Sequence, residues 1–71
     1  MKEYTVIFEW AGHNYSAYVP DLPGCITTGK TLKETERNIK EAIDLYVETL
    51  RESGQPLPEP RTQAKRIPIA V

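Results

Sequence analysis

The sequence has few of the cysteine and histidine residues that a reactive centre, a zinc site or a disulfide cross-link would need. It contains one cysteine and one histidine among 71 residues, so neither an internal disulfide nor a cysteine–histidine zinc site can form. The formal net charge of -1 gives no electrostatic basis for binding nucleic acid or a membrane surface. No apolar run approaches the ~20 residues of a membrane span. The chain, residues 1–71, is therefore expected to form one small domain.

These absences also bear on assembly and location. A domain of this size buries only a little over ~60% of its unfolded surface, and self-association is the expected source of further stability. The N-terminal stretch Met1–Tyr4 lacks the apolar segment of a secretory signal, and a free cysteine is typical of the reducing cytosol. We therefore expect a cytoplasmic protein that forms homo-oligomers.

The first 28 residues have the patterns of β-strands and turns. Residues 4–10 alternate, and their predicted core face consists of Tyr4, Val6, Phe8 and Trp10. A loop at 11–14 separates them from a second strand at 15–19. The turn at Pro23-Gly24 precedes a third strand at 25–28. We predict an antiparallel three-stranded meander.

A long amphipathic helix follows. Thr31 with Glu34 forms the capping-box pattern of a helix start, and Gly54 is placed to end the helix as the residue after its C-cap, near Ser53. Apolar residues at spacings of three and four form the predicted buried stripe. This stripe consists of Leu32, Ile39, Ala42, Ile43, Tyr46, Val47 and Leu50.

The last third of the chain changes character. Prolines alternate after Gly54, so residues 55–65 are predicted to be an extended connector, in preference to a proline-motif ligand. Residues 66–71 resemble a closing strand, and Pro68 restricts that strand to an edge because it has no N–H to donate. The predicted order is β-β-β-α-β. We predict a two-layer α+β fold with the helix packed on one face of the sheet.

Three groups of residues are candidate contacts with a partner or a second copy. Ile7 and Tyr18 fall on the outer sheet face, where they form either an interaction patch or two isolated surface residues. The acidic side chains of the helix form a solvated face that could also meet a basic partner. The predicted edge strand could pair with a second subunit. The candidates are Ile7, Tyr18, Glu34, Glu41, Asp44, Glu48, Ile67 and Ile69.

No catalytic, cofactor-binding or metal site is predicted. His13 lies in a loop without companions, and Cys25 is expected to be a small buried apolar residue of the third strand. Nothing in the sequence brings the carboxylates of Glu9 and Asp21 together, and Asp21 is a natural turn residue. The string 24–31 formally matches the phosphate-loop pattern G-x-x-x-x-G-K-T, but the residues between its glycines are predicted to be a strand, so a nucleotide site is rejected.

A spaced set of residues nevertheless resembles a known family. The set is Asp21-Leu22-Pro23-Gly24-Cys25, Thr27, Gly29, Thr31, Lys33-Glu34, Asn38, Glu41-Ala42-Ile43, Tyr46, Gly54, Pro56, Pro58 and Pro60. It resembles the HicB-like antitoxin family over about residues 4 to 60. Thr35 departs from the small apolar residue usual at its position, and we expect it to loosen the first helical turn slightly.

The resemblance implies a partial ribonuclease-H-like unit without catalytic carboxylates. It implies a binding module that masks a HicA-like, mRNA-cleaving toxin and forms dimers or tetramers. No C-terminal DNA-binding domain follows in this chain, so direct DNA binding is not expected. Two alternatives stay open: a small metal-dependent nuclease of ribonuclease-H-like ancestry, and an orphan oligomeric protein without a toxin partner.

Overall fold

A computed structural model describes all 71 residues as one antiparallel sheet with one long helix. The strands are β1 (Ile7–Trp10), β2 (Tyr15–Tyr18) and β3 (Ile26–Gly29), and the helix is α1 (Leu32–Glu52). The strands lie in the order β1-β2-β3, so β2 is central. The predicted α+β fold and three-stranded meander are confirmed.

The strands are shorter than predicted because the ladder stops at Pro20. Ile7 pairs with Tyr18 at that end, and the N–H of the next residue, Val19, faces the other neighbour and donates to the carbonyl of Cys25 at 3.1 Å. Pro20 has no N–H with which to continue the pairing. β1 therefore begins at Ile7 instead of Tyr4, and Cys25 lies one residue before β3.

Both predicted ends of α1 are confirmed. The Thr31 hydroxyl accepts the N–H of Glu34 at 3.0 Å, which satisfies one of the free donors of the first turn. Gly54 has a positive φ of 69°. The N–H of Gln55 reaches the carbonyl of Leu50 at 2.9 Å, and the N–H of Gly54 reaches that of Arg51 at 3.1 Å. This pair of bonds is the Schellman arrangement, which a residue with left-handed backbone makes possible.

The core is small and lies between α1 and the β2–β3 side of the sheet. Its fully buried apolar residues are Ala17, Val19, Leu22, Cys25 and Ile39. Tyr4, Val6, Phe8, Ala42, Ile43 and Tyr46 pack around them. The prediction that Trp10 and Leu32 also face the core is wrong, since they are 57% and 49% exposed. Trp10 pairs instead with Tyr15 at the end of the ladder, with ring centroids 4.9 Å apart.

The predicted closing strand is absent, and this part of the predicted β-β-β-α-β order is wrong. Residues 66–71 form no strand, and Ile67 and Ile69 are 76% and 77% exposed. The connector instead lies beside the N-terminal residues through side-chain bonds: the Tyr4 hydroxyl donates to the carbonyl of Pro58 at 2.6 Å, and the Thr5 hydroxyl to that of Thr62 at 2.8 Å. Prolines at alternate positions leave too few N–H donors for a ladder.

The end of β3 and the first turn of α1 are in close contact. A Cβ atom added to Gly29 would meet the Thr35 hydroxyl and would stand 2.9 Å from the Thr35 backbone nitrogen. Thr35 is fully buried, and its hydroxyl donates to the Thr31 carbonyl at 2.7 Å. The expected loosening of the first turn is therefore not seen, because this buried hydroxyl has a partner.

The contact makes Gly29 sensitive to substitution. We expect Gly29→Ala to lower the free energy of unfolding by about 1–3 kcal/mol, because overpacking forces backbone to move. Urea unfolding at one fixed protein concentration measures it. Lys30→Ala, at the exposed next position, should change stability by less than about 0.5 kcal/mol. Equal stabilities for the two variants would contradict the contact.

Candidate functional site

An apolar row crosses the outer face of the sheet, opposite α1. Ile7 pairs with Tyr18, and Tyr18 pairs with Ile26, so these three residues form one line across all three strands. Ile7 is half-buried, Tyr18 is exposed, and Ile26 is 62% exposed. The predicted neighbours Ile7 and Tyr18 are thus brought together. Ile26 was missed, although the alternation of a third antiparallel strand could have placed it beside Tyr18.

An acidic stripe runs along the solvent side of α1. Glu41, Asp44 and Glu48 are all exposed and recur at spacings of three and four, which places them on one helix face. Glu34 lies two turns earlier on the same side and is half-buried. None of these four carboxylates forms an ion pair within the chain. The stripe is therefore free to attract a cationic partner.

An apolar groove lies beside this acidic stripe. Gly24, Cys25 and Ile26 form one wall. The other wall belongs to the second half of α1 and consists of Ala42, Leu45, Tyr46, Thr49 and Leu50. The groove encloses ≈ 480 Å³. Leu45, which sequence reasoning did not single out, is 65% exposed although it is apolar. Exposed apolar side chains that converge on a groove are typical of a binding surface.

Asp21 connects the turn before β3 to the C-terminal connector. One carboxylate oxygen accepts the backbone N–H groups of Arg61 and Thr62 at 3.1 and 2.9 Å, and the other accepts the Thr62 hydroxyl at 2.9 Å. The backbone bond from Thr62 is the main cause that lowers the pKa of Asp21 below its ordinary value of 3.8. Asp21 is thus a turn residue, as predicted, that also anchors a segment 40 residues away.

No hydrogen bond or ion pair holds the chain beyond this anchor. Residues 63–71, which we name the C-terminal segment, are all exposed and donate or accept no hydrogen bond with the rest of the chain. Ile67 and Ile69 therefore do not join the other candidate contacts within one copy of the chain. Their role as contacts stays a prediction.

The potentially reactive side chains do not form a catalytic arrangement. Burial raises the pKa of the Cys25 thiol, which keeps it protonated and a poor nucleophile. His13 is exposed in the β1–β2 loop. The residues between Gly24 and Gly29 include β3, which is paired with β2 and cannot wrap a phosphate. The chain has no group of three or more histidine, cysteine or acidic side chains that could hold a metal ion.

α1 does not combine the length and the apolar character of a membrane-crossing helix.

Comparison with known proteins identifies relatives over nearly the whole chain. Residues 4–67 match the family model described as HicB_like antitoxin of bacterial toxin-antitoxin system. A UPF0150 protein from Thermoplasma acidophilum is 42% identical over 69 residues, which cover 97% of each chain. A UPF0150 protein from Synechocystis is 41% identical and covers 96% of this chain and 87% of the relative.

Two solved structures are similar in fold and in sequence. A chain of the "HicA3 and HicB3 toxin-antitoxin complex" superposes with a TM-score of 0.70 at 30% identity, covering 84% of this chain and 70% of that one. The protein TTHA0281 from Thermus thermophilus gives a TM-score of 0.66 at 35% identity, covering 86% and 82%. These identities are high enough for the likeness to extend beyond the fold alone.

The anchor at Asp21 predicts a pH-dependent loss of stability. Its pKa is depressed in the folded chain, so its contribution is complete above the unfolded value near 3.8 and is lost as the pH falls through the lower folded value. We expect Asp21→Asn to be less stable than the wild type at pH 6, and the difference to shrink toward pH 2. Urea unfolding across this range measures it.

A second substitution tests the same anchor. Thr62→Val removes one of the three donors and should give a smaller difference in stability from the wild type at pH 6. A difference between Asp21→Asn and wild type that stays constant from pH 6 to pH 2 would contradict the role of the carboxylate.

Proposed function

Because the chain belongs to the HicB-like antitoxin family, we propose that it is a binding module that neutralises a HicA-type, mRNA-cleaving toxin by covering the toxin's surface. The observation that carries the proposal is the likeness to a chain of a HicA3–HicB3 complex, with a TM-score of 0.70 at 30% identity. That likeness supports a toxin as the partner, and the family supports neutralisation as the outcome.

The acidic stripe is the surface best suited to such a toxin. A protein that binds RNA presents cationic side chains to phosphates, and three exposed carboxylates on one helix face match that charge. Charge complementarity of this kind mainly raises the rate of association and weakens as salt is added. The toxin would then be inhibited because the antitoxin occupies the surface that RNA needs.

We propose binding without catalysis. A metal-dependent nuclease needs carboxylates that converge on an ion, but both oxygens of Asp21 already accept bonds from the connector. Glu9 lies on the exposed end of β1. We infer that the module acts by contact with its toxin in the cytoplasm.

Self-association forms a second part of the proposal. Only seven of the 71 residues are buried, which is a small core for an independent domain. Exposed apolar side chains on the sheet and on α1 support an assembly of dimers or tetramers that covers them.

Co-expression with a HicA-type toxin tests the toxin partner. We expect rescue of growth and a complex that survives affinity purification. Glu48→Lys should weaken that complex by about tenfold at low salt, mainly through slower association, and less in 0.5 M salt. Association rates measured by biolayer interferometry quantify the change.

Glu36→Lys is the matched control, because it makes the same charge change on an exposed position of another helix face. It should weaken binding much less than Glu48→Lys. No complex and no rescue would overturn the toxin proposal. Cleavage of an RNA–DNA hybrid by the purified chain with Mg²⁺ or Mn²⁺ would favour the nuclease instead.

A further inference from the structure

The C-terminal segment, residues 63–71, is an apolar strand-like stretch without a partner in its own chain. Ile67, Ile69 and Val71 recur at every second position, so in an extended chain they share one side. All three are at least 76% exposed. Such a segment in water is a ready partner for an apolar groove or an open sheet edge.

The apolar groove described above lies beside an open sheet edge. Its wall includes Ile26 of β3, and β3 is an edge strand because the sheet order ends with it. Leu45 on the opposite wall is largely exposed. An extended segment laid along this groove would cover Ile26 and Leu45 and would lie within reach of the free edge of β3.

The charges of the segment and of the groove are complementary. Residues 63–71 carry Lys65 and Arg66 and no carboxylate side chain, and neither cation forms an ion pair within the chain. Glu41 and Glu48 lie one helical turn on either side of Leu45, so the groove has an acidic rim. A basic and apolar segment therefore matches a groove that is apolar inside and acidic at its edge.

From these three observations we propose that the C-terminal segment of one copy occupies the apolar groove of a second copy, and that two copies exchange their segments in a symmetric dimer. The anchor at Asp21 holds Thr62, and the segment departs from that point. A two-fold exchange uses the same segment and the same groove on both copies, so it closes without forming a filament. This inference deepens the self-association part of the proposed function and rests on it.

The dimer is tested on the purified chain alone by sedimentation velocity and light scattering. We expect the wild type to be a dimer and the chain shortened to residues 1–62 to be a monomer. The shortened chain should still fold, because every connector bond to the rest of the chain involves residue 62 or earlier. Far-UV circular dichroism and urea unfolding check that it does.

Substitution of the groove gives the second test. Leu45→Glu should weaken the dimer by about 100-fold or more, since one change affects two symmetric contacts. Leu32→Glu is the matched control: it makes the same change on the same helix at an exposed position outside the groove, and should leave the dimer intact.

A mixing experiment separates segment exchange from any other interface. The 1–62 chain has a groove and no segment, and the full Leu45→Glu chain has a segment and a damaged groove. Neither should associate alone, but a mixture should form a 1:1 complex, weaker than the wild-type dimer because only one contact remains. A mixture that associates no more strongly than the Leu45→Glu chain does alone, at the same total concentration, would overturn the exchange.

Two further results would also count against the segment exchange. A monomeric wild type, or a 1–62 chain that dimerises as well as the full chain, contradicts the proposal. Because no toxin is present, a failed toxin test leaves these results unaffected, and a monomeric chain leaves the toxin test open.

Discussion

The close approach between the end of β3 and the first turn of α1 is the constraint on which the other features depend. Gly29 has no side chain there, so the backbone of Thr35 can lie against the strand. The Asn38 side chain then donates to the carbonyl of Thr28 at 2.9 Å, and Ile39 is buried in the core beside it. These contacts place the helix over β2 and β3 and set the direction in which its acidic and apolar sides point.

A helix held in this position covers only part of a three-stranded sheet. The core is correspondingly small, and apolar side chains stay exposed where α1 passes the turn before β3. Ile26 belongs both to the outer-face row and to the apolar groove, so the two surfaces meet at the free edge of β3. A domain that is small and incompletely covered gains stability when another chain covers it.

Side-chain bonds, and not a fourth strand, hold the connector to the domain. Asp21, Tyr4 and Thr5 each bind a backbone group of residues 58–62. This arrangement fixes the connector and leaves the C-terminal segment free. A strand ladder running to the last residue would have held that segment against the sheet. A carboxylate whose oxygens are occupied in this way has a structural role.

The sequence alone determined the features that depend on neighbouring residues. The helix start at Thr31 with Glu34 and the helix end at Gly54 are local features, and both predictions are confirmed. A first strand within residues 4–10 was also predicted from local alternation, although it begins only at Ile7. The groove at Leu45, the anchor from Asp21 to Thr62 and the loss of the closing strand join residues from distant parts of the chain. No pattern in neighbouring residues encodes such contacts, because they depend on where packing places each element. The tertiary structure decided them.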